Sequence, residues 1–215
     1  MNIFSRILAP FLLVGLAAPA VAEDEVPTEV VAEEPTATPF VQERAGAILQ
    51  IVNTAAADPA ALVAKREELR QAIRAFLSFE VLAQRTLGDH WEVRTPEEQA
   101  QFVDLLRNLI ETSYCRSLGT GDVDETQYSV DYTGERSRRG RTTVEATVRV
   151  DGGEHFLEVK LDTVDSGYIV YDLVTDDVSL EESYAESFEN IIGEDGWAGL
   201  IERMEERLQE MQDEL

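Results

Sequence analysis

The sequence predicts an α+β domain in which a four-stranded antiparallel meander sheet is covered by about six helices. Apolar residues recur at helical spacing over residues 40–114, alternate with polar residues over 128–173, and return to helical spacing after residue 180. An antiparallel sheet with one apolar face must be covered, and helices are the only cover that the chain offers. Residues 40–215 are therefore expected to form a single domain.

The first 22 residues predict a secretory signal peptide. Arg6 is their only charged residue, an apolar run extends over residues 7–17, and Ala20-Val21-Ala22 forms a cleavage site of small residues. The apolar run is too short to span a bilayer, and no second run of this kind follows it. We therefore expect an exported protein without stable insertion into a membrane.

Residues 23–39 separate this leader from the domain and contain six acidic residues and no basic residue. The stretch is rich in Pro, Val, Thr and Ala, and it has neither the helical nor the strand period. This composition is typical of a disordered linker. An acidic interaction tail is the alternative that the sequence leaves open.

The first two helices are predicted from apolar spacing and one start signal. Apolar side chains over residues 40–52 mark the first helix. Asp58 is a favourable N-cap residue, and Pro59 follows it at the first helical position. A second helix is therefore expected to begin there, with apolar positions that continue to Ile73.

Two further helix starts lie between residues 76 and 114. Ser78 is expected to cap the third helix, which Gly88 ends. Trp91 falls in the connector, where an indole can pack across the joint. Thr95 and Pro96 start the fourth helix, whose apolar face is wide enough to line a core or a cavity.

The sheet is predicted from alternating runs joined by glycine turns. A polar turn over residues 119–125 precedes the first run, and turns at 151–153 and 165–167 join the later runs as hairpins. The four alternating runs cover residues 128–132, 144–150, 157–161 and 169–173.

Two closing helices follow the sheet. They are predicted over residues 180–192 and 197–211 from renewed helical spacing. Gly193 and Gly196 mark the break between them, because glycine is a poor helix former. Together with the four earlier helices they supply the cover of the sheet.

The net charge of −25 excludes one class of partner and limits another. Nucleic acid is excluded because its binding requires a basic surface. Docking on anionic lipid headgroups without a protein partner is disfavoured for the same reason.

Residues suited to acid, base or nucleophilic chemistry are scarce. His90 and His155 are the only histidines, and neither has an acid and a nucleophile at a recognisable spacing. Cys115 is the only cysteine, so no intramolecular disulfide is possible, and we expect it to be a small buried side chain. Clustered loop acids lack the glycine and distal glutamate of a calcium loop. We expect a non-enzyme without a metal site or cofactor; a hydrolase with a carboxylate pair is the enzymatic alternative.

One basic cluster interrupts this acidic chain. It consists of Arg136, Arg138, Arg139 and Arg141, between the first two predicted strands. The cluster is either a solvated hairpin tip or a docking patch or headgroup contact, because guanidinium groups pair well with phosphate.

Two stretches contain motifs whose residue types and spacing are more specific than simple apolar periodicity. The first, residues 76–114, contains L-A-x-x-x-L-G-x-x-W followed by T-P-E. Its matching residues are Phe79, Leu82, Ala83, Leu87, Gly88, Trp91, Thr95, Pro96, Glu97, Gln99, Phe102, Leu106, Leu109, Thr112 and Tyr114. The second matches through Tyr171, Asp172, Val178, Ser179, Leu180, Tyr184, Phe188, Ile192, Gly196, Leu200 and Ile201. Together they closely resemble the MlaC/Ttg2D family of periplasmic phospholipid carriers, first named for toluene tolerance.

The chain departs from the family pattern at three places. Leu77 replaces a phenylalanine, and Asp177 replaces a glycine. Over residues 183–188, S-Y-A-E-S-F replaces N-Y-R-x-Q-F. The polar contacts of that asparagine, arginine and glutamine are therefore not available to this chain.

The resemblance implies a periplasmic, non-enzymatic phospholipid carrier with an apolar cavity between sheet and helices. It also implies two partners, an inner-membrane ABC transporter complex and an outer-membrane lipoprotein complex, between which lipid is shuttled. The side chains expected to line the cavity are Leu82, Leu87, Phe102, Leu106, Ile110, Val144, Val148, Leu157, Val159, Ile169, Tyr171, Tyr184 and Phe188. A periplasmic adaptor with a packed core is the alternative.

Overall fold

A computed structural model of the chain describes residues 37–118, 127–150, 152–165 and 167–214. The predicted signal peptide, most of the predicted linker and the predicted turn over 119–125 lie outside these ranges. The described residues form six helices and five strands. In chain order these are α1 Ala37–Val52, α2 Pro59–Phe76, α3 Phe79–Leu87, α4 Asp89–Glu92, α5 Pro96–Leu118, β1 Ser129–Arg138, β2 Arg141–Val150, β3 Gly153–Val164, β4 Gly167–Thr175, β5 Val178–Ser179 and α6 Leu180–Asp213.

The predicted helix starts are confirmed by their capping bonds. The carboxylate of Asp58 and the hydroxyl of Ser78 each accept a backbone N–H of the first turn, at 2.8 and 3.4 Å. Thr95 and Glu98 form a reciprocal capping box at the start of α5, with bonds of 2.9 and 3.2 Å. These starts depend on residues within one turn, which is why sequence alone locates them.

Helix α1 begins three residues earlier than expected, so that residues 37–39 of the predicted linker are helical. The carboxylate of Glu135 on β1 accepts the backbone N–H of Thr38 at 2.8 Å and its hydroxyl at 2.6 Å. The same carboxylate accepts the N–H of Ala37 at 3.4 Å. A residue almost one hundred positions away therefore satisfies the free donors of the helix start.

The predicted meander is confirmed, and a fifth strand of two residues extends it. The strands are antiparallel and lie in the order β1-β2-β3-β4-β5. Strand β5 is too short to show any period in the sequence.

A bulge in β4 changes which side chains face the helices. Leu161 of β3 pairs with Val170, and the register shift leaves Tyr171 as an extra residue in β4. The alternation predicted from Ile169 through Tyr171 to Leu173 is therefore wrong. Val170 is buried in the core, so its neighbour Ile169 faces the opposite side of the sheet.

The two predicted closing helices form one element, α6, with a kink at Gly196. Gly196 has φ 69° and ψ −174°, which a residue with a Cβ adopts only under strain. Gly193 remains helical, so the break is confined to one glycine.

Helices cover the inner face of the sheet. Helix α1 contacts β1 and β2, whereas α3 and α6 contact β4. Helix α5 packs against α2, α3 and α6. Trp91, expected in a connector, lies in the short α4 and packs against the core as expected. The core thus lies between the sheet and the helices, and α1, α2, α3, α5 and α6 all contribute buried side chains to it.

Asp172 fastens β4 to the start of α6. Its buried carboxylate accepts bonds from Lys160 Nζ at 3.0 Å, Ser179 Oγ at 2.7 Å and the backbone N–H of Glu181 at 2.9 Å. The Ser179 hydroxyl also accepts the backbone N–H of Glu182 at 3.0 Å, which caps α6. This network joins a strand, a hairpin and a helix start.

We expect Asp172→Asn to lower the free energy of unfolding by about 2 kcal/mol, because bonds to a buried charged group are replaced by weaker ones. Urea denaturation of both proteins measures the change. Asp165→Asn, at an exposed position of the β3–β4 turn, is the matched control and should change stability by less than about 0.5 kcal/mol. Equal effects of the two substitutions would contradict the fastening role.

Candidate functional site

Most of the predicted lining residues meet in one buried cluster. Helices α3, α5 and α6 and the inner face of the sheet contribute the predicted members, each of which is at most 3 % exposed. Its predicted members are Leu82, Leu87, Phe102, Leu106, Ile110, Val144, Val159, Tyr184 and Phe188. Leu157 is half-buried and packs against the cluster.

Three predicted lining residues lie outside this cluster. Val148 is half-buried near the end of β2, and Ile169 is turned away by the bulge in β4. Tyr171 is buried, but the guanidinium of Arg85 stacks on its ring at 3.8 Å from the centroid. Tyr171 therefore packs against a charged side chain from α3 rather than within the apolar interior.

The cluster also contains residues that the lining prediction omitted. The helical spacing of apolar residues identifies the omitted members on α5 and α6, and strand alternation identifies Leu161 on β3. The inward position of Val170 could not be found, because it depends on the bulge. The omitted members include Leu109, Leu161, Val170, Ile191, Leu200 and Met204.

Aromatic side chains connect α5 and α6 in this interior. Phe102 meets Phe188 edge to face, with ring centroids 5.3 Å apart, and Tyr184 lies 5.3 Å from Phe188 on the other side. Trp197, after the kink, completes the group at 5.8 Å from Phe102. The contacts hold α5 against both halves of α6.

Two buried hydroxyl groups of α6, those of Tyr184 and Ser187, lie in this interior. Burial raises the pKa of Tyr184 far above its ordinary value, and the hydroxyl of Tyr114 nearby raises it further. Tyr184 is therefore a neutral phenol at any physiological pH. Ser187, one helical turn further on, is buried, and its hydroxyl makes no hydrogen bond in the described part of the chain. Neither hydroxyl adds a charge to the interior, and the buried carboxylates nearby, Asp172 on β4 and Glu111 on α5, are both hydrogen-bonded.

The histidines and the cysteine have structural partners. His90 contacts the carboxylate of Glu189 at 3.0 Å, and His155 contacts that of Asp176 at 2.8 Å. Cys115 is buried as predicted, its Sγ lies 3.4 Å from the carbonyl oxygen of Arg66, and burial raises the pKa of its thiol. Among the described residues no group of three or more histidine, cysteine or acidic side chains could hold a metal ion.

The structure divides the predicted basic cluster. Arg136 pairs with Glu145 and with Glu158, the latter at 2.6 Å. Arg138, Arg139 and Arg141, which we call the arginine tip, are exposed at the β1–β2 turn. Arg139 has φ 54° there and Gly140 φ 77°, as a two-residue hairpin turn requires. Of the predicted cluster, only the arginine tip is open to an external anion.

A separate depression lies between α1 and α2. It has a volume of about 540 Å³, and alanines such as Ala47, Ala61 and Ala64 form much of its wall. Lys65 lies at its side and donates to the carbonyl oxygen of Val52 at 3.2 Å. None of the predicted lining residues borders it.

None of the helices formed by the described residues combines the length and the apolar character that crossing a membrane requires.

Comparison with known proteins gives one family and one fold. A family model described as MlaC protein matches residues 42–206, which extend from α1 into α6. The phospholipid-binding protein from Ralstonia solanacearum, solved in complex with a phospholipid, is similar with a TM-score of 0.71 and 22% sequence identity. The alignment covers 83% of this chain and 99% of that one, and at this identity it shows a shared fold. Among curated proteins no match was found.

Proposed function

Because the chain belongs to the MlaC family, whose members are non-enzymatic lipid-binding proteins, we propose that it is a periplasmic phospholipid carrier. The observation that carries this proposal is the family match over residues 42–206. The bound phospholipid of the Ralstonia solanacearum protein, which has the same fold, supports it. The predicted signal peptide is consistent with the proposed compartment.

Transfer energies explain why such a carrier is needed. Exposing two acyl tails with some thirty methylenes to water costs roughly 24 kcal/mol at about 0.8 kcal/mol per methylene. Unassisted diffusion of a phospholipid across an aqueous gap is therefore negligible. A carrier needs only an apolar interior whose affinity for acyl tails is comparable to that of the bilayer. It needs no covalent step and no cofactor.

The proposed tail site lies between α3, α5, α6 and the inner face of the sheet. We retain the nine predicted members of the buried cluster together with Leu157, and Val148 at the end of the sheet. We exclude Ile169 from the tail site because the bulge turns it away from the helices, and Tyr171 because Arg85 stacks on its ring. The hydroxyl of Ser187, which has no hydrogen-bond partner among the described residues, is available to an ester oxygen of a ligand.

The proposed partners are an inner-membrane ABC transporter complex and an outer-membrane lipoprotein complex. A chain of net charge −25 is repelled by anionic lipid headgroups, so delivery by a protein partner is favoured over direct docking. The arginine tip is the proposed contact with an anionic surface or headgroup. Arg136 is less suited to that role, because Glu145 and Glu158 already neutralise it.

One observation favours a second candidate, an adaptor with a packed core. The cluster members are almost completely buried, so lipid could enter only if helices and sheet moved apart. Native mass spectrometry after gentle purification separates the two functions. We expect the protein to carry a phospholipid, identified by mass after extraction with organic solvent. A ligand-free mass, together with no uptake from phospholipid vesicles, would support the adaptor instead.

A further inference from the structure

The arginine tip differs from most other arginines of the chain. Ten other arginines form ion pairs with carboxylates. Within the described residues Arg138, Arg139 and Arg141 form none, although the chain has 43 acidic residues and only 18 Lys and Arg. At this turn three exposed arginines therefore form no ion pair with any carboxylate of the described residues.

The acidic stretch that precedes α1 enters the fold beside this tip. Helix α1 is held at its first residues by Glu135, which bonds Ala37 and Thr38. Glu135 precedes Arg138 by three residues on β1, or about 10 Å along a strand. Residues 23–36, which we call the acidic segment, therefore join the described fold beside Glu135, three residues before Arg138 on β1.

We propose that the acidic segment binds the arginine tip of the same chain. The segment has six acidic residues and no basic residue, whereas the tip has three arginines that form no ion pair within the described residues. Its fourteen residues can span up to roughly 46 Å when extended, so each of its carboxylates can reach the tip. The opposite charges, the length of the acidic segment and its point of attachment all favour its binding to the arginine tip.

Covalent attachment is what makes the contact effective. Exposed ion pairs are individually weak, but a short tether gives an effective concentration in the millimolar range. Carboxylate and guanidinium groups also form charge-assisted hydrogen bonds. The contact is therefore reversible and salt-sensitive, and any anionic partner of the tip must displace the segment. This inference does not rest on the proposed lipid function.

A spin label on the acidic segment tests the contact in the full exported chain. The label is attached at Val30→Cys in a Cys115→Ala background, and backbone amide signals are followed by NMR. We expect a roughly twofold or greater loss of signal intensity at residues 138–141 at 0.01 M salt, where the Debye length is about 30 Å. The intensity should recover at 1 M salt, where that length is about 3 Å.

Matched variants distinguish charge pairing from mere proximity. Replacing Arg138, Arg139 and Arg141 by Gln should abolish the loss of signal around the turn. Arg149→Gln, at the other end of β2 and paired with Asp131 and Glu154, should leave it unchanged. Neutralising all six acidic residues of the segment should also abolish it.

Two results would overturn the proposal. The first is an unperturbed tip, and the second is a loss of signal that persists after the acidic residues are neutralised. If the tip is unperturbed and added phosphatidylglycerol vesicles broaden its signals, the tip is instead a surface for lipid headgroups. A failure of lipid uptake would leave all these results unaffected, because the test requires no ligand.

Discussion

Arg74→Met is expected to lower the free energy of unfolding by about 2–3 kcal/mol, because it leaves a buried carboxylate without its main hydrogen-bond donor. Arg74 on α2 donates to both oxygens of Glu111 on α5, from Nε at 2.6 Å and from Nη2 at 2.7 Å. Glu111 is 1% exposed, and Arg107, 3.9 Å away, is too distant for a hydrogen bond. Arg74 itself is 44% exposed, so the pair joins the two helices through a buried carboxylate and a guanidinium group at the surface.

Helix α2 offers a control one turn away from Arg74. Arg70 pairs with Glu67 at 3.6 Å, and the Glu67 side chain is 53% exposed. Arg70→Met should therefore change stability by less than about 1 kcal/mol. Urea denaturation compares the two variants, and a second substitution, Glu111→Leu, should restore much of the stability lost in Arg74→Met. Equal destabilisation by Arg70→Met and Arg74→Met would contradict the importance of the Arg74–Glu111 pair.

The sequence predicts those parts of the fold that are decided within a few residues. Helix starts at Asp58, Ser78 and Thr95 depend on side chains that bond to the next turn. Strand alternation and glycine turns likewise need only neighbouring residues. For this reason the order of elements and the antiparallel meander are predictable from the amino-acid pattern alone.

Features that depend on distant residues could not be predicted. Glu135 starts α1 early, although it is almost one hundred residues away in sequence. The pairing of Arg74 with Glu111 has no local signal, because both residues are on helices with many other charges. The bulge at Tyr171 depends on how β4 pairs with β3, and periodicity alone therefore misplaced Ile169.

For the candidate site, as for the fold, the sequence predicts the features that depend on neighbouring residues. Helical spacing predicts that Phe102, Leu106 and Phe188 face inward, and all three are buried in the core cluster. The basic cluster was recognised as one group, whereas pairing across the strands neutralises Arg136 and leaves the tip exposed. Which side chains share a face is thus encoded locally, whereas which charges remain free is decided by the assembled sheet.

Leu106→Trp is expected to remove most of the bound phospholipid while the fold is retained. Leu106 lies in the buried cluster and is 0% exposed. An indole in the tail site displaces about three methylenes, which corresponds to about 2–3 kcal/mol, or roughly a hundredfold weaker retention. Phosphorus content per protein after purification measures the loss, and circular dichroism and thermal unfolding check the fold.

Val63→Trp on α2 is the matched control, because Val63 is 66% exposed and the same indole would lie in solvent. It should leave lipid content unchanged. If the interior is instead a solid core, Leu106→Trp overpacks it and lowers the free energy of unfolding by about 1–3 kcal/mol, with no lipid in either protein. The two hypotheses thus predict different changes in stability and in phosphorus content for the same substitution. A carrier loses its ligand and keeps its fold, whereas a packed adaptor loses stability and has no ligand to lose.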